Sequence, residues 1–203
     1  MGPRHNPLVL LTIHAARWCL KLYNRLEVEG VAHVPAGAAI VVANHPSAID
    51  PVVLAITLPR RRTLFVAAAE FLALPVVGWA MRSYGVIPVW RGQTDLSVIK
   101  DAIRALEDGK LVVIFPEGRV TPEGRGPVKS GAALLAARAR VPILPVALVG
   151  TERALPLGRY IPRPARIRAV IGPPLAPPGD RESAERAVEE ALAWVRTVTA
   201  QRS

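Results

Sequence analysis

The chain has one cysteine, Cys19, so an internal disulfide and any multi-cysteine metal site are excluded. Its four histidines are scattered, with no HExxH or similar ligand pair, and no metal is expected. Aromatic residues make up only 5% of the chain, and no helix-turn-helix, zinc-finger or RNA-stacking string is visible. Acidic side chains are also few, 16 against 26 basic ones. The resulting charge of +10 calls for an anionic partner: a membrane, a phosphorylated substrate or nucleic acid. The poverty of nucleic-acid motifs argues against the last of these. Long apolar runs are missing too. The N-terminal one holds about ten residues before Arg17, well short of the roughly 20 a spanning helix needs. The stretch from Leu64 to Met81 contains Glu70 and is broken by Pro75 and Gly78, which reads as buried core.

What is present is ample apolar content, 51% of 203 residues, enough for one compact unit. From Leu8 to Leu26, Leu11, Ala15, Trp18, Leu22 and Leu26 recur near one face at helical spacing, with Arg17, Lys21 and Arg25 elsewhere. That predicts a basic amphipathic helix, either lying in a membrane interface or packed on the domain's own core. The chain accordingly divides into a helix over 1–27 and a domain over 28–203. Within the domain, apolar runs such as AAIVVAN, TLFVAA, GVIPVW and KLVVIFP alternate with helical patterns. This predicts a single α/β domain with a mostly parallel central sheet flanked by helices. A last helix opens near Asp180, with Ala184, Ala187, Val188, Ala191, Leu192 and Val195 on one stripe.

Three strand ends carry chemistry. AAIVVANHPSAIDP ends a strand at Asn44 and delivers His45 into a turn, with Asp50 five positions later. Histidine takes a proton near neutral pH, and a carboxylate on its second nitrogen fixes the tautomer and stabilises the imidazolium. Asp50 before Pro51 is equally a good helix cap, and His45 could be an ordinary turn histidine. KLVVIFPEGRV empties a second strand into a turn with Glu117, Gly118 and Arg119, where glycine permits close approach and arginine grips a phosphate in two places. A solvated arginine on a surface turn would look the same. YGVIPVWRG ends a third strand with Arg91. The arginines at 60–62 and from Arg153 to Arg168 suit anionic lipid or a nucleotide phosphate, or simply a solvated basic face.

Together NHPSAID, GVIPVWR, FPEGR and VPILPV resemble, in order and approximate spacing over about residues 40 to 150, the four sequence blocks of the glycerolipid acyltransferase family. The bacterial representative of that family is 1-acyl-glycerol-3-phosphate acyltransferase. The resemblance implies that His45 and Asp50 form the catalytic pair. It places Arg91, Glu117, Gly118 and Arg119 near the acceptor's phosphate and glycerol, with Lys129 a further phosphate contact. It implies transfer of a fatty acyl group from acyl-CoA or acyl carrier protein to a lysophospholipid hydroxyl, giving phosphatidic acid from 1-acyl-glycerol-3-phosphate. Neither a metal nor a bound cofactor is implied, and the expected place of work is the cytoplasmic face of the membrane, peripheral or monotopic. The family's third block commonly reads Glu-Gly-Thr-Arg, whereas here Arg119 follows Gly118 directly. The competing expectations are the same chemistry on another lysophospholipid, a glycolipid or an amino-acid-derived lipid, and, in a different class, lipid or nucleic-acid binding without catalysis. Backbone amides after His45 are the expected oxyanion donors.

Overall fold

The structure is a computed structural model that describes residues 7–59, 63–73, 75–90, 96–121 and 131–202. Seven strands form one sheet: β1 (Glu27–Glu29), β2 (Ala39–Ala43), β3 (Thr63–Ala68), β4 (Val86–Val89), β5 (Leu111–Ile114), β6 (Ile143–Val149) and β7 (Arg168–Ile171). Their order across the sheet is β1-β7-β6-β2-β5-β3-β4. Every neighbouring pair is parallel except β6 and β7. The expected mostly parallel sheet is therefore present, with an antiparallel seam near one edge.

The central strands have no polar face because helices cover both sides, which is why β2 and β6 read as unbroken apolar runs. Alternate residues of β2 serve two separate cores. Ala39, Val41 and Ala43 join Val53 and Leu54 of α2 (Asp50–Thr57), Tyr84 of α3 (Pro75–Tyr84) and Leu20 of α1 (Pro7–Tyr23). Ile40 and Val42 face α4 (Leu96–Glu107), α5 (Gly131–Ala139) and α7 (Arg181–Arg202). The short α6 (Thr151–Ala154) follows β6 directly. In α7 the buried stripe is Ala184, Val188, Ala191, Leu192 and Val195, and Ala187 packs half-buried beside it. Asp180 caps that helix, its Oδ1 accepting the Ser183 N–H at 2.8 Å.

Helix α1 divides its apolar residues between two faces. Leu20 is buried and Ile13 packs against the same core, whereas Leu11, Trp18 and Leu22 are 66%, 60% and 74% exposed. The expected stripe differs in one member: the helix stops at Tyr23, so Leu26 lies beyond it and turns into the core. Among the described residues no helix is long and apolar enough to cross a membrane. The segment around Leu64–Met81, expected as buried core, divides into β3, a 3-10 turn and α3; Leu64, Phe65 and Ala69 are buried and Phe71 is exposed, and Pro75 opens α3 while Gly78 lies within it.

Candidate active site

Strands β2 and β5 are neighbours whose following helices lie on opposite faces, α2 on one and α5 on the other. A crevice opens at such a switch point beyond the carboxyl ends of the strands. Both of the main polar turns fall there, because His45 follows β2 and Glu117 follows β5.

The first turn is pinned before it begins. The buried Asn44 side chain donates to the Leu148 carbonyl at 2.9 Å and accepts the Leu148 N–H at 2.8 Å, so a side-chain amide prolongs the β2–β6 ladder. His45 comes next, and its Nδ1 lies 2.9 Å from Asp50 Oδ2. The same oxygen accepts the Ser47 N–H at 2.8 Å. Asp50 is the first residue of α2, with Ile49 as the cap, and its carboxylate makes no helix-capping bond. Of the two roles open to Asp50 in the sequence, the carboxylate therefore takes the one directed at His45. Asp50 is fully buried, while His45 keeps a 14% exposed side chain. With Nδ1 committed to the carboxylate, Nε2 is the ring nitrogen left for a substrate. The ring itself stacks on Phe115, with centroids 4.1 Å apart and planes 20° from parallel.

Burial pushes the Asp50 carboxyl above the usual aspartate range, and the hydrogen bond and charge of His45 pull it partly back. Asp50 Oδ1 and the hydroxyl of buried Thr151 both lack a hydrogen bond of good geometry, yet Thr151 still favours the ionised carboxylate.

Glu117 joins the second turn to the first. It is 3% exposed, and its Oε1 accepts the His45 N–H at 3.3 Å while Oε2 accepts the Thr121 hydroxyl. The Thr121 N–H returns to the His45 carbonyl at 3.0 Å. Gly118 holds a left-handed φ of 66°, and its N–H closes the turn on the Phe115 carbonyl at 2.9 Å. Gly118 and Arg119 are exposed at the rim. The structure thus brings His45, Asp50 and Glu117 together, with Gly118 and Arg119 on the same turn. Arg91 and Lys129, like the arginines at 60–62, lie outside the described residues.

The expected oxyanion donors are mostly occupied. The amides of His45, Ser47, Ile49 and Asp50 donate respectively to Glu117, Asp50, the Ser47 hydroxyl and the Ser47 carbonyl. Residues not singled out in the sequence complete the site. Ser47 donates its hydroxyl to the Leu155 carbonyl at 2.7 Å and so ties the turn to the segment after α6. Thr151 is introduced by Gly150, whose φ of 82° turns the chain out of β6. A glycine immediately after an apolar strand was the one local signal for this bend. Among the described residues, no group of three or more His, Cys, Asp or Glu side chains could hold a metal ion.

A histidine–aspartate pair in this crevice of an α/β sheet is the arrangement that the four blocks foreshadow. The chain matches the Acyltransferase family over residues 25–149 and belongs to it. It is 30% identical over 183 residues to the 1-acyl-sn-glycerol-3-phosphate acyltransferase of Pseudomonas aeruginosa, an alignment covering 87% of this chain and 70% of that one. It is 29% identical over 159 residues to a chloroplastic 1-acyl-sn-glycerol-3-phosphate acyltransferase of Brassica napus, covering 75% of this chain and 46% of the relative. The chain thus spans about half the length of that plant protein. The crystal structure of the 1-acyl-sn-glycerophosphate acyltransferase from Thermotoga maritima superposes with a TM-score of 0.73 at 26% identity, covering 96% of this chain and 87% of that one.

Proposed function

We propose that the protein transfers a fatty acyl group from a thioester, acyl-CoA or acyl carrier protein, to the free hydroxyl of a lysophospholipid, converting 1-acyl-glycerol-3-phosphate to phosphatidic acid. The single observation that carries this reading is the 2.9 Å contact between His45 Nδ1 and the buried Asp50 carboxylate. It leaves Nε2 as a base of fixed tautomer at the mouth of the crevice. In the reaction, Nε2 takes the proton of the acceptor hydroxyl as its oxygen bonds to the thioester carbonyl carbon. Asp50 stabilises the imidazolium that forms. The tetrahedral intermediate then collapses, the carbon–sulfur bond breaks, and the departing thiolate receives the proton from His45. Cys19 stands exposed on α1, away from this turn, and no covalent acyl-enzyme is required.

Arg119, exposed on the turn that Glu117 secures, is suited to the acceptor phosphate, and the resemblance adds Arg91 and Lys129. The outward stripe of Leu11, Trp18 and Leu22 on α1, with Arg17 and Lys21 also exposed, supports peripheral or monotopic attachment to the cytoplasmic face of an anionic membrane.

The test is acceptor-dependent thiol release from palmitoyl-CoA and from acylated carrier protein, with a panel of lysolipids and with His45→Ala in parallel. Lysophosphatidic acid should drive release, and the folded variant should lose roughly a hundred- to ten-thousandfold of the rate. Release driven only by a different lysolipid would change the acceptor. No release with any of them would overturn acyl transfer.

A further inference from the structure

Among the described residues, the most exposed large apolar ones after α1 lie in the connection between α6 and β7. Leu157, Tyr160 and Ile161 are 63%, 96% and 80% exposed. Three such side chains within five residues are costly to leave in water.

The connection is also tied down. Arg163 N–H reaches back to the Ala154 carbonyl at 2.7 Å, pinching the loop closed, and the Arg159 N–H bonds the Pro156 carbonyl at 3.0 Å. Just past α1, the buried Asn24 amide donates to the carbonyls of Arg163 and Ala165 at 2.8 and 3.2 Å, and the hydroxyl of Tyr23, the last residue of α1, reaches the Pro162 carbonyl at 3.4 Å. The base of the loop is therefore fixed, with the apolar side chains of its tip in solvent.

From this we infer that residues 157–161 form a second membrane-penetrating element, which inserts into an anionic bilayer beside α1. Three features select a bilayer as the occupant. First, Arg159 and Arg163 stand exposed on the segment of the apolar tip, and of the five arginines from Arg153 to Arg168 the other three pair with Glu152 and Glu27 outside it. Exposed apolar residues interleaved with arginines match acyl chains below anionic headgroups. Second, Tyr160 carries its hydroxyl on an apolar ring, the side-chain type that sits at the headgroup level. Third, Asn24 and Tyr23 fasten the base of the loop to the C-terminal end of the helix whose outward stripe is Leu11, Trp18 and Leu22. The base of the loop touches the catalytic turn as well, since the Leu155 carbonyl accepts the Ser47 hydroxyl. On the acyl-transfer reading, this puts the crevice at the bilayer surface where a lipid acceptor resides.

The experiment reads membrane contact without turnover, so its failure and the failure of acyl transfer are seen separately. In a Cys19→Ser background, Ile161→Cys is labelled with an environment-sensitive fluorophore and titrated with vesicles of phosphatidylcholine alone or mixed equally with phosphatidylglycerol. A blue-shifted, brighter emission is expected with the mixed vesicles, and none from a label at Glu189→Cys on α7. The combined variant Leu157→Ser, Tyr160→Ser, Ile161→Ser should keep its melting temperature and bind mixed vesicles at least about tenfold more weakly. The inference is overturned if the protein does not bind vesicles, if the Ile161 label is unmoved while the protein sediments with them, or if the combined variant binds equally well. A dimer that the combined variant abolishes, with vesicle binding intact, would assign the loop to a second copy of the chain instead.

Discussion

Replacing Asp50 with asparagine separates what its charge does from what its shape does. Asp50 Oδ2 receives both the Ser47 N–H and His45 Nδ1, so an asparagine must keep its carbonyl oxygen at that position or strand a buried amide. Its NH2 group then occupies the place of Oδ1, beside the Thr151 hydroxyl, which can accept from it. The histidine tautomer is preserved and only the charge is lost. A hydrogen bond to a charged group contributes about 1.5–3 kcal/mol against about 1 for a neutral one, so the imidazolium loses about 0.5–2 kcal/mol of stabilisation. At about 1.4 kcal/mol per factor of ten, Asp50→Asn should turn over about 2- to 30-fold more slowly in the thiol-release assay. Stability should move the other way. Because burial raises the Asp50 carboxyl in the folded state, the native protein holds its proton more tightly than the unfolded chain does. Wild-type stability therefore falls as pH rises from the unfolded value through the raised folded one. Asparagine carries no such penalty, so Asp50→Asn should melt at the same or a higher temperature at pH 7, and the advantage should vanish in acid. A rate loss beyond about a thousandfold, or a variant several degrees less stable at neutral pH, would refute this account of the site.

Gly150→Ala should cost at least about 1 kcal/mol in urea unfolding and also lower activity. Its φ of 82° is strained for alanine, its Cβ would run into the Arg166 carbonyl oxygen, and Thr151 follows it directly. Glu27→Gln should lower the melting temperature at neutral pH. The hydrogen bonds of Arg166 and Arg168 hold the Glu27 carboxyl below the ordinary glutamate range, so its stabilisation is present above the unfolded value and lost as pH falls through the folded one. The difference from wild type should therefore close in acid melts. On α1, Leu20→Ala should cost about 2–5 kcal/mol because it opens a cavity, whereas Leu22→Ser on the outward stripe should stay within about 0.5 kcal/mol yet weaken vesicle sedimentation.

The parts of the fold legible in the sequence were those written in local pattern. β3 is the TLFVAA run, and α7 follows its apolar stripe from the Asp180 cap. His45 and Asp50 stood out because a strand ending in a short polar turn is a local event, and the two lie five positions apart. The illegible parts depend on partners far along the chain. β1 has three residues and no periodicity, and is a strand only because Arg168, Ala169 and Val170 lie beside it. The reversal of β7 against β6 has no local mark either. Glu117 illustrates the same limit within the site. The resemblance sets it near the acceptor, and nothing in its string announces that its carboxylate is buried against the His45 amide, 72 positions away in sequence. Thr151 and Leu155 meet the turn of His45 and Asp50 across about a hundred residues, and nothing in their own neighbourhood announces it.

The amide of Asn44 fixes how the chain can vary in length. Its paired bonds to Leu148 lock β2 to β6 at the last position before the turn. Side chains alternate faces along a strand, so a slip of one residue would swing His45 away from Asp50 and leave both amides unmatched. Insertions and deletions should therefore be tolerated where helices run back to the opposite ends of the strands, as between Glu107 and Leu111. They should be fatal to function between Ala43 and Asp50, or within β6, whose seven residues serve as the ruler against which the histidine is set.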